Sequence, residues 1–239
     1  MDKEISEAIF LLINNKEFFN LPPTTEELYE FLITTKLNGR VSKDQFEKVL
    51  VELMTSGKLF KHEEYVWNDE RSLEASVLAR KEAIAFSRQK FLDLQKFLTK
   101  RIYSKGLYFA GVTGRITLGL EDPSGLNLSK QASSGEVVSD SNVKIAVILD
   151  KKGFLNNFSS KKFLADIDKK GLEVIILPDD LNWPSKSIFN AFELIALKPV
   201  ISQNGIYEKI IAKNIWIYDF FSNYPLRKVS SEFRVEIKS

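Results

Sequence analysis

Cysteine is absent and histidine occurs once, at His62, in a chain of 239 residues. No disulfide framework, thiol nucleophile, Cys-based zinc site or iron–sulfur cluster is therefore available. A single imidazole leaves little room for a Ser-His-Asp triad or a His-rich metal centre. A chain without disulfides fits a reducing compartment. No apolar run approaches the roughly 18 residues of a membrane span, and the acids near the start of MDKEISEAIFLLINN make that stretch a poor secretory signal. These absences predict a cytoplasmic protein with no membrane partner. The net charge is only +2 and 44% of the residues are hydrophobic, which excludes disorder for the bulk of the chain and leaves material for one large domain or two small ones. Carboxylates working with Mg²⁺, or binding without catalysis, head the chemistries that remain.

The small net charge hides a gradient. Residues 1–70 hold 8 Lys and Arg against 14 Asp and Glu, and residues 71–105 hold 9 against 3. Within the acidic part, apolar residues recur at helical spacing from Ile5 to Phe19, and Leu21-Pro22-Pro23 interrupts them. Thr24 or Thr25 opens a second expected helix over Glu26 to Leu37, with Glu27 placed for a capping box and Asn38-Gly39 as its stop. Ser42, with Gln45 three residues on, opens a third, whose stripe is Phe46, Val49, Leu50, Leu53 and Met54. Residues 58–67 read as a short hairpin carrying His62 at its surface. Three short helices and a hairpin predict a winged helix over 1–70. Such domains often bind DNA through the third helix. Here the charges on that helix nearly cancel and the domain is acidic, which disfavours phosphate contact.

Residues 71–105 contain neither Gly nor Pro and carry Leu73, Val77, Ile84, Phe91, Leu94, Phe97 and Leu98 at roughly helical spacing. They predict a basic connecting helix. Its Lys and Arg residues form either a solvated face or a phosphate-facing one; Arg80, Lys81 and Arg88 are the nucleic-acid candidates.

The remainder, 106–239, alternates expected strands and helices: strands at 106–112, 143–149 and 172–177, and helices at 116–120, 154–167, 187–196 and 206–221. The Gly/Ser/Asn-rich stretch between 121 and 139 reads as an exposed loop. The fold class expected is α+β, or α/β with a mixed sheet.

Phe109-Ala-Gly-Val-Thr-Gly114-Arg115 is a strand running into a glycine turn, and Asp140-Ser-Asn-Val-Lys-Ile-Ala-Val-Ile148 supplies a second strand. Further on stand Ala191-Phe-Glu193-Leu-Ile-Ala-Leu-Lys198-Pro199, Tyr207-Glu208-Lys-Ile-Ile-Ala-Lys-Asn214-Ile-Trp216 and Asn223-Tyr-Pro225. This arrangement resembles the minimal nucleotidyltransferase domain of the DNA polymerase β superfamily, and in particular a bacterial branch with a helical N-terminal module. The resemblance covers about 71–226. It implies a mixed β-sheet with flanking helices, a Gly-Ser turn that approaches nucleotide phosphates, and an Asp-x-Asp pair that holds Mg²⁺ for transfer of a nucleoside monophosphate.

The residues that carry this chemistry are replaced. Arg115 stands where the family has serine, and the Asp-x-Asp positions fall on Asn142 and Lys144. Two carboxylates two residues apart on a strand point the same way and share a metal. A lysine there turns attraction into repulsion, and at ~4 Å with an effective dielectric of ~20 one such contact is worth about 4 kcal/mol. No metal site is expected at the family's position. Asp140 and Glu173 are the residual carboxylates through which an Mg²⁺- and NTP-dependent transferase would have to act. Gly114, Arg115 and Lys144 are the candidates for holding a nucleotide phosphate without metal, with Lys144 also placed to pair with Asp140 or Glu173. Tyr207, Trp216 and Phe192 read as core. The leading expectation is a pseudoenzyme, a nucleotidyltransferase-like binding or scaffold module in a complex with a protein, a nucleic acid or a metal-free nucleotide. An active nucleotidyltransferase and a winged-helix DNA-binding regulator are the alternatives.

Overall fold

A computed structural model describes residues 2–35, 37, 40–100, 107–120, 143–149, 158–170 and 172–224. Among the described residues the chain is α+β, with helices α1 (Asp2–Asn14), α2 (Thr25–Glu30), α3 (Lys43–Thr55), α4 (Glu70–Thr99), α5 (Phe158–Asp168), α6 (Ile188–Ile195) and α7 (Ile206–Lys213). Its strands are β1 (Phe60–His62), β2 (Tyr65–Trp67), β3 (Leu107–Gly114), β4 (Val143–Leu149), β5 (Glu173–Ile176) and β6 (Lys198–Ser202). None of these helices is long and apolar enough to cross a membrane. The chain divides into two compact units. One is Met1–Glu82 with Lys186–Ile195 and Ile215–Arg227; the other is Ala83–Ser185 with Ala196–Asn214 and Lys228–Ser239.

In the first unit the capping signals act as the sequence implies. The Thr24 hydroxyl accepts from the Glu27 N–H at 3.1 Å while Glu27 Oε2 accepts from the Thr24 N–H at 2.7 Å. Ser42 and Gln45 form the same reciprocal pair at the start of α3, each satisfying donors that a helix start leaves open. The second helix is shorter than its spacing predicts. It stops at Glu30, because the following residues bond elsewhere: the Thr34 N–H donates to the Phe220 carbonyl at 2.8 Å and the Thr34 hydroxyl to the same oxygen at 3.1 Å. Asn223, 2% exposed, then accepts from the Val41 N–H and donates to the Tyr29 carbonyl. The first helix ends five residues earlier than expected, at Asn14, where the Asn15 side chain accepts from the Glu17 N–H and starts a turn.

The core of this unit is aromatic. Phe18 lies 5.2 Å from Phe192 and 5.5 Å from Phe189, and Phe31 lies 5.1 Å from Phe192 and 6.0 Å from Phe221, ring centre to ring centre. Such spacings lie in the favourable range for offset and edge-on ring pairs. The β1–β2 hairpin turns through Glu63 at φ 54°, and the backbone of Pro23, Thr24 and Thr25 pairs along β2.

In the second unit the four-stranded sheet runs in the order β5-β4-β3-β6. β3 is antiparallel to both neighbours and β4 is parallel to β5. One face packs Val112, Val143, Ile145 and Val147 against Phe91, Leu94 and Leu98 of α4 and Phe163 and Ile167 of α5. The resemblance motif at Ala191–Pro199 hides a strand that periodicity does not announce. β6 contains Pro199, and it lies at the sheet edge, where a missing N–H is tolerated. A register shift places Ala110 opposite Ile201 and Gly111 opposite Pro199, so β6 holds one extra residue, a bulge. A Cβ at Gly111 would lie 2.7 Å from Leu197 Cδ1 and 3.2 Å from the Lys198 carbonyl oxygen, so a larger residue here would force its neighbours to shift. The expected helix at 206–221 breaks in two. Asn214, fully buried, donates to the carbonyls of Ile210 and Leu181 and accepts from the Trp183 N–H, and a 3₁₀ segment, Ile215–Asp219, follows.

Candidate functional site

β3 leaves the sheet at Gly114, whose φ of 93° and ψ of −168° belong to a region that only glycine enters freely. The expected helix at 116–120 is a single 3₁₀ turn, Arg115–Leu118, closed by Gly119 in the left-handed conformation. The Thr117 hydroxyl donates back to the Gly114 carbonyl at 2.7 Å and holds the turn. Thr117 is the residue that sequence reasoning missed, although a hydroxyl three places after a turn glycine is its signal. One turn of 3₁₀ helix presents fewer aligned N–H groups than a full helix start does. Arg115, half-buried, is its first residue.

Pairing brings the turn beside the strand that carries Lys144. Gly114 stands opposite Val143, Thr113 opposite Lys144, and Lys144 opposite Glu173 on β5. Directly opposed residues project to the same sheet face, so Thr113, Lys144 and Glu173 form a row across three strands. Thr113 is fully buried, and the Lys144 side chain is 25% exposed against 62% for Glu173. Lys144 Nζ lies 3.4 Å from Glu173 Oε2, one of the two pairings that the sequence suggests. Asp140 and Asn142 lie outside the described residues, as does the 121–139 stretch.

The donor set on this row does not fit Mg²⁺. A hard divalent cation takes oxygen ligands and uses one or two carboxylates as its anchor. Among the described residues this row holds one carboxylate, Glu173, and the Lys144 ammonium group pairs with it. Among the described residues no cluster of three or more His, Asp or Glu is placed to hold a metal ion. Among the described residues the arrangement brings one lysine, one arginine and one carboxylate near a glycine turn.

The connecting-helix candidates are placed differently from one another. Arg80 is 1% exposed and donates from Nη2 to Glu27 Oε1 at 2.6 Å, inside the first unit. Burial pulls its pKa down while Glu27 opposes that pull, and a guanidinium stays charged under such pressure. Lys81 reaches Glu63 at 2.8 Å, and this hydrogen bond holds its pKa above the usual lysine value. Arg88 is exposed on α4. Tyr207, Trp216 and Phe192 are all buried, at 5%, 8% and 5%. In comparisons with family models, curated proteins and solved structures, no match to this chain was found.

Proposed function

We propose that the chain is a non-catalytic, nucleotidyltransferase-like binding module that works inside a protein complex and takes a phosphate-bearing nucleotide without metal. The observation that carries the reading is the ion pair between Lys144 and Glu173, in register on neighbouring strands. In the nucleotidyltransferases that the chain resembles, the corresponding sheet end gathers carboxylates around Mg²⁺. Here the residual carboxylate Glu173 is spent on a lysine, which weighs against the transferase alternative. Gly114, Arg115 and Lys144 are the groups that would meet a phosphate, with the arginine making forked contacts. The layout proposed is a winged helix, a connecting helix and a nucleotidyltransferase-like sheet. The pairing of Pro23, Thr24 and Thr25 along β2 adds a third short extended segment to the hairpin and supports the winged-helix part. DNA reading by that domain is weighed down by its acidic balance, 8 bases against 14 acids over 1–70. A chain without cysteine supports a cytoplasmic setting.

Thermal melting with each of the four NTPs, with and without Mg²⁺ or Mn²⁺, tests the reading. A ligand at a hundred times its Kd stabilises by about 2.7 kcal/mol. The expected result is stabilisation that is equal with and without metal and is lost in Arg115→Ala and Lys144→Met. Stabilisation that requires metal, or transfer of a labelled monophosphate to any acceptor, would overturn it. Melting that no nucleotide shifts would remove the nucleotide from the proposal and leave the protein partner.

A further inference from the structure

We infer that the paired surfaces of α4 and α5 in the second unit bind nucleic acid through its phosphodiester backbone. None of Gly114, Arg115, Lys144 or Glu173 lies on these helices, so binding here is independent of the nucleotide reading.

Residues 88–100 and 158–170 together carry eight Lys and Arg against three Asp and no Glu. These two stretches are neighbours in space. Phe97 of α4 stacks on Phe163 of α5 with ring centres 6.4 Å apart, and Lys170 Nζ lies 5.1 Å from the centre of the Phe97 ring. Leu94, Leu98, Phe163 and Ile167 turn inward to the sheet. The outward faces hold Lys96, Lys100, Lys161, Lys162, Lys169 and Lys170, all exposed. Lys96 has Asp93 at 3.8 Å. Among the described residues Lys100, Lys161, Lys162 and Lys169 have no ion-pair partner, a contrast with Lys48 and Lys81 of the first unit, each held by a carboxylate.

Ordinary helix electrostatics explains only part of this face. Cations in the last turn of a helix complement its negative end, and Lys96, Lys100, Lys169 and Lys170 lie at or just beyond the ends of α4 and α5. Lys161 and Lys162 do not follow that rule. They are the fourth and fifth residues of α5, whose first turn holds no acid, so they add positive charge to the positive end of the helix. Helix electrostatics does not favour that placement, and a bound anion would. Six lysines spread over two adjoining helices exceed what a single phosphate or carboxylate ligand uses, and they match a regularly charged chain whose counterions are released on contact. Among the described residues no row of exposed rings accompanies them: Phe97 and Phe163 are turned into the packing, and the exposed Phe86 of α4 lies ten residues before Lys96 with Lys90 over its ring. The contact is therefore with the backbone, tolerant of base sequence.

Fluorescence anisotropy of the full chain with a labelled 20-nucleotide single strand and the corresponding duplex, across a salt series, tests the inference. The expected result is binding to at least one of them that weakens steeply with salt. The variant K100Q/K161Q/K162Q/K169Q should lose affinity about tenfold or more, and its salt slope should fall by about 0.7–0.9 for each phosphate contact removed. The control K3Q/K43Q/K58Q/K61Q has the same net charge and should bind as the parent does. Equal losses in both variants would overturn the assignment to this face. So would failure of the parent to bind either nucleic acid at low salt, or binding to phosphatidylserine vesicles alone. Both variants change only exposed side chains, and matching circular dichroism spectra establish that their folds are intact.

Discussion

Arg80 is the residue whose role the sequence misleads about most. Its neighbours on a Gly-free basic helix suggest one more solvated cation, yet it is buried and its partner Glu27 also closes the capping box of α2. Glu27 was readable as a cap from its spacing to Thr24; its second duty was not, because the partner is 53 residues away. A buried charge that loses its partner costs far more than the pair itself contributes. Glu27→Gln should destabilise the chain by about 3 kcal/mol, the lower end of the range for a broken buried pair, because Glu27 remains partly open to water. Adding Arg80→Met should recover much of that loss, since no uncompensated guanidinium remains. Urea unfolding of the single and double variants checks this. A double variant that is less stable than Glu27→Gln by the full cost of a second lesion would show that the pair is not the cause.

Elements were legible where their signals are local. Both capping boxes, the hairpin, the long helix α4 and strands β3, β4 and β5 follow from spacing and turn residues. The failures share one cause, which is that a partner distant in sequence competes for the backbone. α2 ends early because Thr34 bonds to Phe220. β6 escaped notice because Pro199 argues against a strand and only its edge position permits one. The 206–221 segment looks like one helix, and Asn214 divides it by engaging residues 181, 183 and 210. Three hydrogen bonds on one buried amide make this position sensitive. Asn214→Ala leaves the Trp183 N–H and two carbonyls without that partner and should cost about 2–4 kcal/mol. A fall in melting temperature of roughly 4–16 °C is the readout, at about 2–4 °C per kcal/mol for a chain of this size. A fall of under one degree would mean that water replaces the amide without loss.

At the scale of the whole molecule the candidate site was half legible. The glycine turn was readable from residue types, and Glu173 was one of the two partners that the sequence suggests for Lys144. The lysine face of α4 and α5 was not legible, because it exists only when two segments separated by more than fifty residues pack together. The division of the chain was equally hidden. Residues 186–195 and 215–227 join the N-terminal helices in one unit, and the rings that tie them together, Phe18, Phe31, Phe192 and Phe221, give no periodic signal of their association. Removal of residues 1–70 should therefore do more than delete a module. It takes Phe18 and Phe31 away from Phe192 and Phe221. A chain beginning at residue 71 should bind a hydrophobic dye and elute as aggregate in size-exclusion chromatography. A monomer with a single sharp melting transition would contradict this.

The hydrogen bond from Thr34 to Phe220 spans 186 residues, and the ring cluster spans a comparable distance along the chain. On a ribosome adding about 5–20 residues per second, Phe18 and Phe31 emerge roughly 10–40 s before their partners are made. For that interval the newborn N-terminal helices have apolar surface with nothing native to cover it. Completion of the first unit thus waits on residues 192–221, and the protein's yield in a cell should depend on whatever shelters residues 1–70 while translation continues.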